Sequence, residues 1–344
     1  MTLSKSDYML FLRHPAWLWL KKFDKSKLPP IDANLQAMFD AGHEFESYAE
    51  QLFSNAVKVG FDIKNFNTYK TMPTRTKQAV DSDTLVILQG RFEEDGLTCI
   101  VDILHRVQGN DFDLIEIKSS TKAKPEHEYD LAFQVLVLEK AGLSIRSISV
   151  IHANKEYVKD GEIDPSGIAG KTDVTDEVRA LASTTLLQID MARNALSNGS
   201  MPEISPRYVN QLNIPRVGSQ WMQEWLNIHR SLKPNLDKYS IYNLSYPSSE
   251  QIGQLEDQGV ELIGDIPEQL ALRVKQKVQI QTIRDDKRII DKDKIRSFLD
   301  TFTYPLYFFD YETFSSVIPF FDGCRPYDDY PFQYSLHILE SSDS

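Results

Sequence analysis

The stretch TLVILQGRFEEDGLTCIVDILHRVQGNDFDLIEIK, residues 84–118, decides the fold. Its runs LVILQGRF, TCIVDIL and FDLIEIK are rich in β-formers and are separated by EEDG and QGND, both turn signals. The pattern predicts a three-stranded antiparallel meander. Asp102 stands near the end of TCIVDIL, and Glu116-Ile117-Lys118 closes the third run. Residues equidistant from a hairpin turn face one another. Asp102 and Glu116 are each seven residues from Gly109, so they are expected as cross-strand neighbours. Strand alternation puts Glu116 and Lys118 on one face and Ile117 on the other. Two carboxylates and an ammonium thus converge at one edge of a sheet.

Outward from the meander, residues 6–23 read as a helix with Tyr8, Phe11, Leu12 and Leu18 on its apolar face and a break at Pro15. From Ala33 to Phe53, Leu35, Met38, Phe39, Phe45, Ala49 and Leu52 recur at helical spacing. Beyond the meander, a helix at 129–141 stops at Gly142, RSISVIHA reads as a further strand, and a helix covers 175–198. The order implies an α/β core with a mixed sheet. After residue 200 the periodicity weakens and Pro202, Pro206, Pro215, Pro234 and Pro247 punctuate the chain. Residues 250–298 are helical again, and TYPLYFFDYETF opens a β-rich unit near 303.

The composition bounds the function classes. The chain has 344 residues, 41% hydrophobic and 26% charged, which is ordinary for a globular protein. No run of eighteen apolar residues occurs, and the N-terminal stretch is interrupted by Arg13, His14 and Pro15, unlike a signal peptide or a membrane span. Cys99 and Cys324 cannot build a disulfide framework, so a reducing cytoplasm is expected. Both read as packing residues. The net charge of −12 argues against a surface coated in phosphate-binding cations. It leaves room for a local basic groove beside an acidic metal site.

Phosphodiester hydrolysis uses the kind of constellation seen at Asp102, Glu116 and Lys118. Hard oxygen ligands hold Mg²⁺ or Mn²⁺, and a lysine orients or deprotonates a water and stabilises the developing charge. A surface strand with an acid–base ladder would show the same spacing, so the neighbourhood has to decide.

That neighbourhood, TCIVDILHRVQGNDFDLIEIKSSTKAKPEHEYDLAFQVLVLEKAGLSIRSISVIHANKEYV, closely resembles the RecB-like branch of the PD-(D/E)XK nucleases. In that branch an Asp, an (Asp/Glu)-x-Lys and a helical Gln follow in this order. The resemblance implies that Asp102 and Glu116 ligate the metal with the carbonyl of Ile117 as a third ligand. It also implies that Lys118 positions the nucleophilic water and Gln134 orients the water or the phosphate. Gln134 lies in the apolar run DLAFQVLVL and needs a partner there. The Tyr that often follows four residues later is replaced by Leu138. From the upstream helix, Gly42-His43-Glu44-Phe45-Glu46, the resemblance implies one metal-proximal residue: Glu44 is favoured and Glu46 is the alternative.

LSKSDYMLFLRHPAWLWL, GHEFESYAEQLF and YPLYFFDYETF together resemble a bacterial family that fuses a RecB-like nuclease to a domain of unknown function opening with Asp-(Phe/Tyr)-Glu-Thr. The expected organisation is a nuclease domain at 1–200, a helical connector with DNA contacts at 201–300, and at 301–344 the truncated start of a DEDD-exonuclease-like, ribonuclease-H-like domain. Asp310 and Glu312 would be an incomplete second site. Relatives carry a Cys-Pro and later cysteines that suggest an iron–sulfur cluster; here His14-Pro15 and a cysteine-free stretch from Pro202 to Asn213 stand there, so no cluster is expected. Residues 273–296 hold nine Lys/Arg against four Asp, a solvated helix face or a nucleic-acid contact. The Trp17, Trp19, Trp221 and Trp225 pairs read as packing residues.

The expected function is metal-dependent hydrolysis with DNA favoured over RNA. The alternative is a catalytically silent nucleic-acid-binding or scaffold protein. Nothing in the sequence identifies a protein partner.

Overall fold

The computed structural model describes residues 1–30 and 32–341. Ile31 and the last three residues of the expected C-terminal unit, 342–344, lie outside them. The chain opens with β1 (Leu3–Ser4), α1 (Lys5–Arg13), α2 (Pro15–Phe23), α3 (Ala33–Glu50), β2 (Val57–Lys58) and α4 (Phe66–Asp81). The meander follows as β3 (Val86–Glu94), β4 (Leu97–Gln108) and β5 (Asp111–Lys118). Then come α5 (Pro125–Lys140), β6 (Ser144–Ala153), α6 (Pro165–Ile168), β7 (Ala169–Asp173), α7 (Thr175–Ala180) and α8 (Ala182–Ser197). The remaining elements are α9 (Gly218–Leu232), α10 (Ser249–Asp257), α11 (Val274–Arg284), α12 (Lys292–Leu299), β8 (Leu306–Ser315) and β9 (Asp329–Leu339).

The expected α/β architecture is what the chain adopts: a seven-stranded mixed sheet flanked by helices. Its order is β2-β3-β4-β5-β6-β7, with β1 paired alongside β4. The antiparallel meander β3-β4-β5 is joined through α5 to β6, which runs parallel to β5. A parallel neighbour requires such a crossover, and α5 supplies it. Pro125 at the first helical position suits that start, because its missing N–H would be unbonded anyway. At Pro15 the N-terminal helix divides into α1 and α2: Pro15 cannot continue the first helix and begins the second, while His14 Nδ1 accepts the Ala16 N–H at 3.1 Å.

One face of the sheet packs against α1, α2, α5 and α8 through residues such as Tyr8, Leu18, Leu114, Phe133 and Ile189. This core continues past residue 200, because Val209, Ile214, Trp221 and Trp225 belong to it. The opposite face is covered by Phe45 and Ala49 of α3, by Ile168, and by Val317 and Ile318 from the loop between β8 and β9. Residues 241–283 build a smaller core of their own around Ile241, Leu255, Ile263 and Ile280.

Three expectations need correction. The helix expected to Phe53 ends at Glu50, and of its apolar stripe only Phe45 and Ala49 are buried; Leu35, Met38 and Phe39, and Leu52 beyond its end, are exposed. The periodicity is real, but only the C-terminal half of the helix reaches the sheet. Helix α4, with Pro73 inside it, is not among the helices the periodicity predicts. The helix expected at 129–141 begins four residues earlier, at Pro125. The final strands form a separate two-stranded hairpin. No helix among the described residues is long and apolar enough to cross a membrane.

Candidate functional site

The meander register brings Asp102 and Glu116 together. Ile103 pairs with Ile115 and Leu104 with Leu114, so the next step along both strands sets Asp102 across from Glu116. A bulge between Arg106 and Gln108 absorbs the odd residue near the turn without disturbing this pairing. Asp102 Oδ2 accepts the Ile117 N–H at 2.7 Å, which ties the carboxylate to the neighbouring strand.

Glu116 is almost fully buried, and donors from separate elements surround its carboxylate. Oε1 accepts from Lys118 Nζ at 2.6 Å and from Lys5 Nζ at 2.9 Å. Oε2 accepts from Gln134 Nε2 at 2.9 Å. The partner that Gln134 requires in its apolar surroundings is therefore Glu116, together with Asp130 Oδ1 at 3.1 Å. Asp130 also accepts from Lys118 Nζ at 2.9 Å, and Lys5 lies 3.7 Å from it. Asp130 and Gln134 are four apart on α5, so they share one helix face.

The electrostatics follow from this crowding. Burial and the adjacent Glu116 push the Asp102 carboxyl above the usual carboxylate range. Glu116 goes the other way: burial would raise it, but Lys118 and Lys5 outweigh that and hold it ionised. Burial alone would favour a neutral Lys118 amine, yet Asp130, Glu116 and Asp102 keep it protonated. The same contest holds for Lys5, where Asp130 and Glu116 overcome burial.

Of the residues expected on α3, Glu44 is exposed, whereas half-buried Glu46 lies near enough to Asp102 to raise its carboxyl further. Phe45 and Ala49 set which side of the helix meets the sheet, and of the two alternatives Glu46 lies on the nearer side. Glu46 Oε1 also accepts from Gln89 Nε2 at 2.5 Å. Gln89 stands opposite Asp102 on β3 in the left-handed backbone region, with φ of 51°. A non-glycine residue rarely adopts that conformation inside a strand.

Lys5, Asp130 and Gln89 were not singled out by the sequence. For Asp130 a signal existed in its four-residue spacing from Gln134. Lys5 is 111 residues from Glu116 and nothing local marks it.

Asp310 and Glu312 lie exposed on β8, opposite Ser335 and Gln333. Cys99 is buried in the core and Cys324 is half-buried, neither in a disulfide. Trp225 is buried and stacks on His14 with ring centroids 3.7 Å apart. His14 Nε2 bonds the Ser205 carbonyl at 2.9 Å, so His14 joins the N-terminal helices to the segment after 200. The basic segment 273–296 forms α11 and α12 with the turn between them.

Comparison with known proteins gives the following. Residues 307–344 match DUF2779, a domain of unknown function. No curated protein matches the chain. Among solved structures, the chain is similar to LHK-Exo in complex with dAMP, at 14% identity and a TM-score of 0.26, over 57% of this chain and 90% of that one. A second structure of this alkaline exonuclease, from Laribacter hongkongensis, matches at 13% identity and 0.23, over 58% and 92%. The protein SSO0001 matches at 10% identity and 0.18, over 42% and 83%.

Proposed function

We propose that this chain is a metal-dependent nuclease of the RecB-like PD-(D/E)XK type that hydrolyses phosphodiester bonds, with DNA favoured over RNA. The observation that carries the reading is the convergence of Asp102, Glu116, Lys118 and Gln134, from two adjacent strands and the crossover helix, on one carboxylate pair. A scaffold has no need to bury two carboxylates side by side so that burial, with the neighbouring charge, drives one toward protonation.

The residues suit a hard divalent cation. Among the described residues no group of three or more His, Cys, Asp or Glu side chains is gathered as a metal cluster. Mg²⁺, however, commonly keeps several waters and needs only one or two carboxylates. Gln134 Oε1 is buried without a partner, which leaves an acceptor at the site for a water. Asp102 and Glu116 would hold the cation with the Ile117 carbonyl, and Glu46 would lie beyond them. When bound, Mg²⁺ or Mn²⁺ supplies Lewis acidity toward the phosphate and a nearby water.

The remaining work falls to the chain's own groups. Lys118, kept protonated by its carboxylate neighbours, orients the attacking water and stabilises charge developing on the phosphate oxygens. This favours a donor role for Lys118 over that of a general base. Gln134 fixes Glu116 through Nε2 and offers Oε1 to the water. Asp130 holds Lys118 and Gln134 in register with each other.

Linear and circular DNA, single- and double-stranded, incubated with the purified protein in Mg²⁺ or in EDTA, tests the proposal. Cutting only with the metal is expected. Retardation of DNA in EDTA with no cutting in Mg²⁺ or Mn²⁺ would favour the silent nucleic-acid binder instead.

A further inference from the structure

Lys5 has no place in the motif read above, yet its ammonium sits on the central carboxylate. It lies 2.9 Å from Glu116 Oε1, the same oxygen that Lys118 contacts at 2.6 Å. Two ammoniums on one carboxylate oxygen repel each other, so this is a poor arrangement for a purely structural ion pair. Nor is Lys5 a loose surface side chain. Its helix is fixed at the start by a capping box in which Asp7 N donates to Ser4 Oγ at 3.2 Å and Ser4 N donates to Asp7 Oδ2 at 2.9 Å. Asp7 is held in turn by Lys21 at 2.8 Å and Lys22 at 2.5 Å. Strand β1 pairs with β4, and Tyr8 stacks on Phe133 of α5 with centroids 5.1 Å apart. The N-terminal helix is thus anchored to the elements that carry Asp102 and Gln134, and its first residue reaches into the site.

We propose that Lys5 is a second positioning cation of this site: it neutralises Glu116 while no divalent cation is bound, and hands that oxygen over and turns to a substrate phosphate when one is. The inference rests on the metal-dependent reading above. Asp102, Glu116 and Asp130 bring at most three negative charges, and two while Asp102 is protonated, against the two positive charges of Lys5 and Lys118. With Lys5 retained on Glu116, little net charge is left to attract a cation. Its release restores the attraction and frees an ammonium beside the place where the phosphate must lie. Lys5 would also lower metal affinity in the absence of nucleic acid and raise affinity for nucleic acid.

The test is Mn²⁺ titration of the full chain without nucleic acid, followed by magnetic resonance of the free ion, for the parent, Lys5→Met, Lys5→Gln and Glu116→Gln. Binding of a short DNA duplex in Ca²⁺ is measured alongside. Removing one positive charge at contact distance should tighten Mn²⁺ binding roughly tenfold in both Lys5 variants. It should weaken duplex binding several-fold through the loss of one phosphate contact. Either variant suffices if the other fails to fold. Parent-like or weaker Mn²⁺ binding in a folded Lys5 variant, with the parent binding well and Glu116→Gln poorly, would overturn the role of Lys5 alone. Equal Mn²⁺ binding by the parent and Glu116→Gln would overturn the metal site itself, and this inference with it.

Discussion

The Ile117 N–H donates to Asp102 Oδ2 at 2.7 Å, so the backbone of one strand holds the carboxylate of the next. A carboxylate fixed in this way loses little freedom when it takes a ligand through its other oxygen. An asparagine could accept the same bond through its carbonyl. Asp102→Asn should therefore keep the fold and the meander register while losing one negative charge from the pair. Mn²⁺ should raise the melting temperature of the parent by a few degrees, since a ligand at about a hundred times its Kd adds about 2.7 kcal/mol. In Asp102→Asn the rise should vanish. Melting curves with Mn²⁺ and with EDTA check this, and an undiminished rise would place the metal elsewhere.

Lys118 is tied to both Glu116 and Asp130, so its removal affects structure as well as chemistry. Lys118→Met should lower turnover by about a hundredfold or more, in the range of a lost acid–base or charge-stabilising group. It should also lower stability by on the order of a few kcal/mol, because buried Asp130 and Glu116 lose their shared ammonium. Lys118→Arg should restore much of the stability and little of the turnover, since the guanidinium is planar and bulkier. Melting and single-turnover kinetics on the same preparations separate the two effects.

How far the sequence foretold this site differs from residue to residue. The pairing of Asp102 with Glu116 was legible because a tight hairpin converts distance from the turn into register. Gln134 was legible because a polar side chain in an apolar helix must find a partner. Between Glu44 and Glu46 helical spacing left both open, since it does not say which side of α3 docks on the sheet; the burial of Phe45 and Ala49 sets that side, and Glu46 is the half-buried one. Lys5 was invisible because its contact with Glu116 exists only once β1 and α1 have packed beside β4. The left-handed Gln89 was equally hidden, as no local signal distinguishes it from its strand neighbours.

His14 provides a pH test away from the site. Burial holds its folded pKa at about 3, well below the ordinary value of 6.5, and it stacks on Trp225. The unfolded chain therefore binds a proton that the folded chain refuses between these values. Stability should fall as pH drops below about 6.5 and go on falling toward pH 3. In His14→Phe the aromatic stack remains but the titration is removed. That variant will be less stable at neutral pH, yet its melting temperature should depend less steeply on pH between 4 and 6.5. Equal slopes for the two proteins would count against His14 as a source of acid sensitivity.

Asp310 and Glu312 are exposed on a hairpin that is separate from the sheet carrying Glu116. The double variant Asp310→Ala, Glu312→Ala should hydrolyse DNA at the parent's rate. Residual cutting in Glu116→Ala that disappears when Asp310 and Glu312 are also replaced would reveal a second centre on β8.

The most direct measurement is the initial rate at which the parent and Glu116→Gln release fragments from end-labelled linear duplex DNA in Mn²⁺. The glutamine keeps the shape of the side chain and an acceptor for Lys118 and Lys5; it removes the charge that would hold the metal and turns the oxygen facing Gln134 Nε2 into an amide donor. The expected result is metal-dependent cutting by the parent, abolished by EDTA, and a rate in Glu116→Gln at least about a hundredfold lower. Cutting by Glu116→Gln at the parent's rate would contradict it.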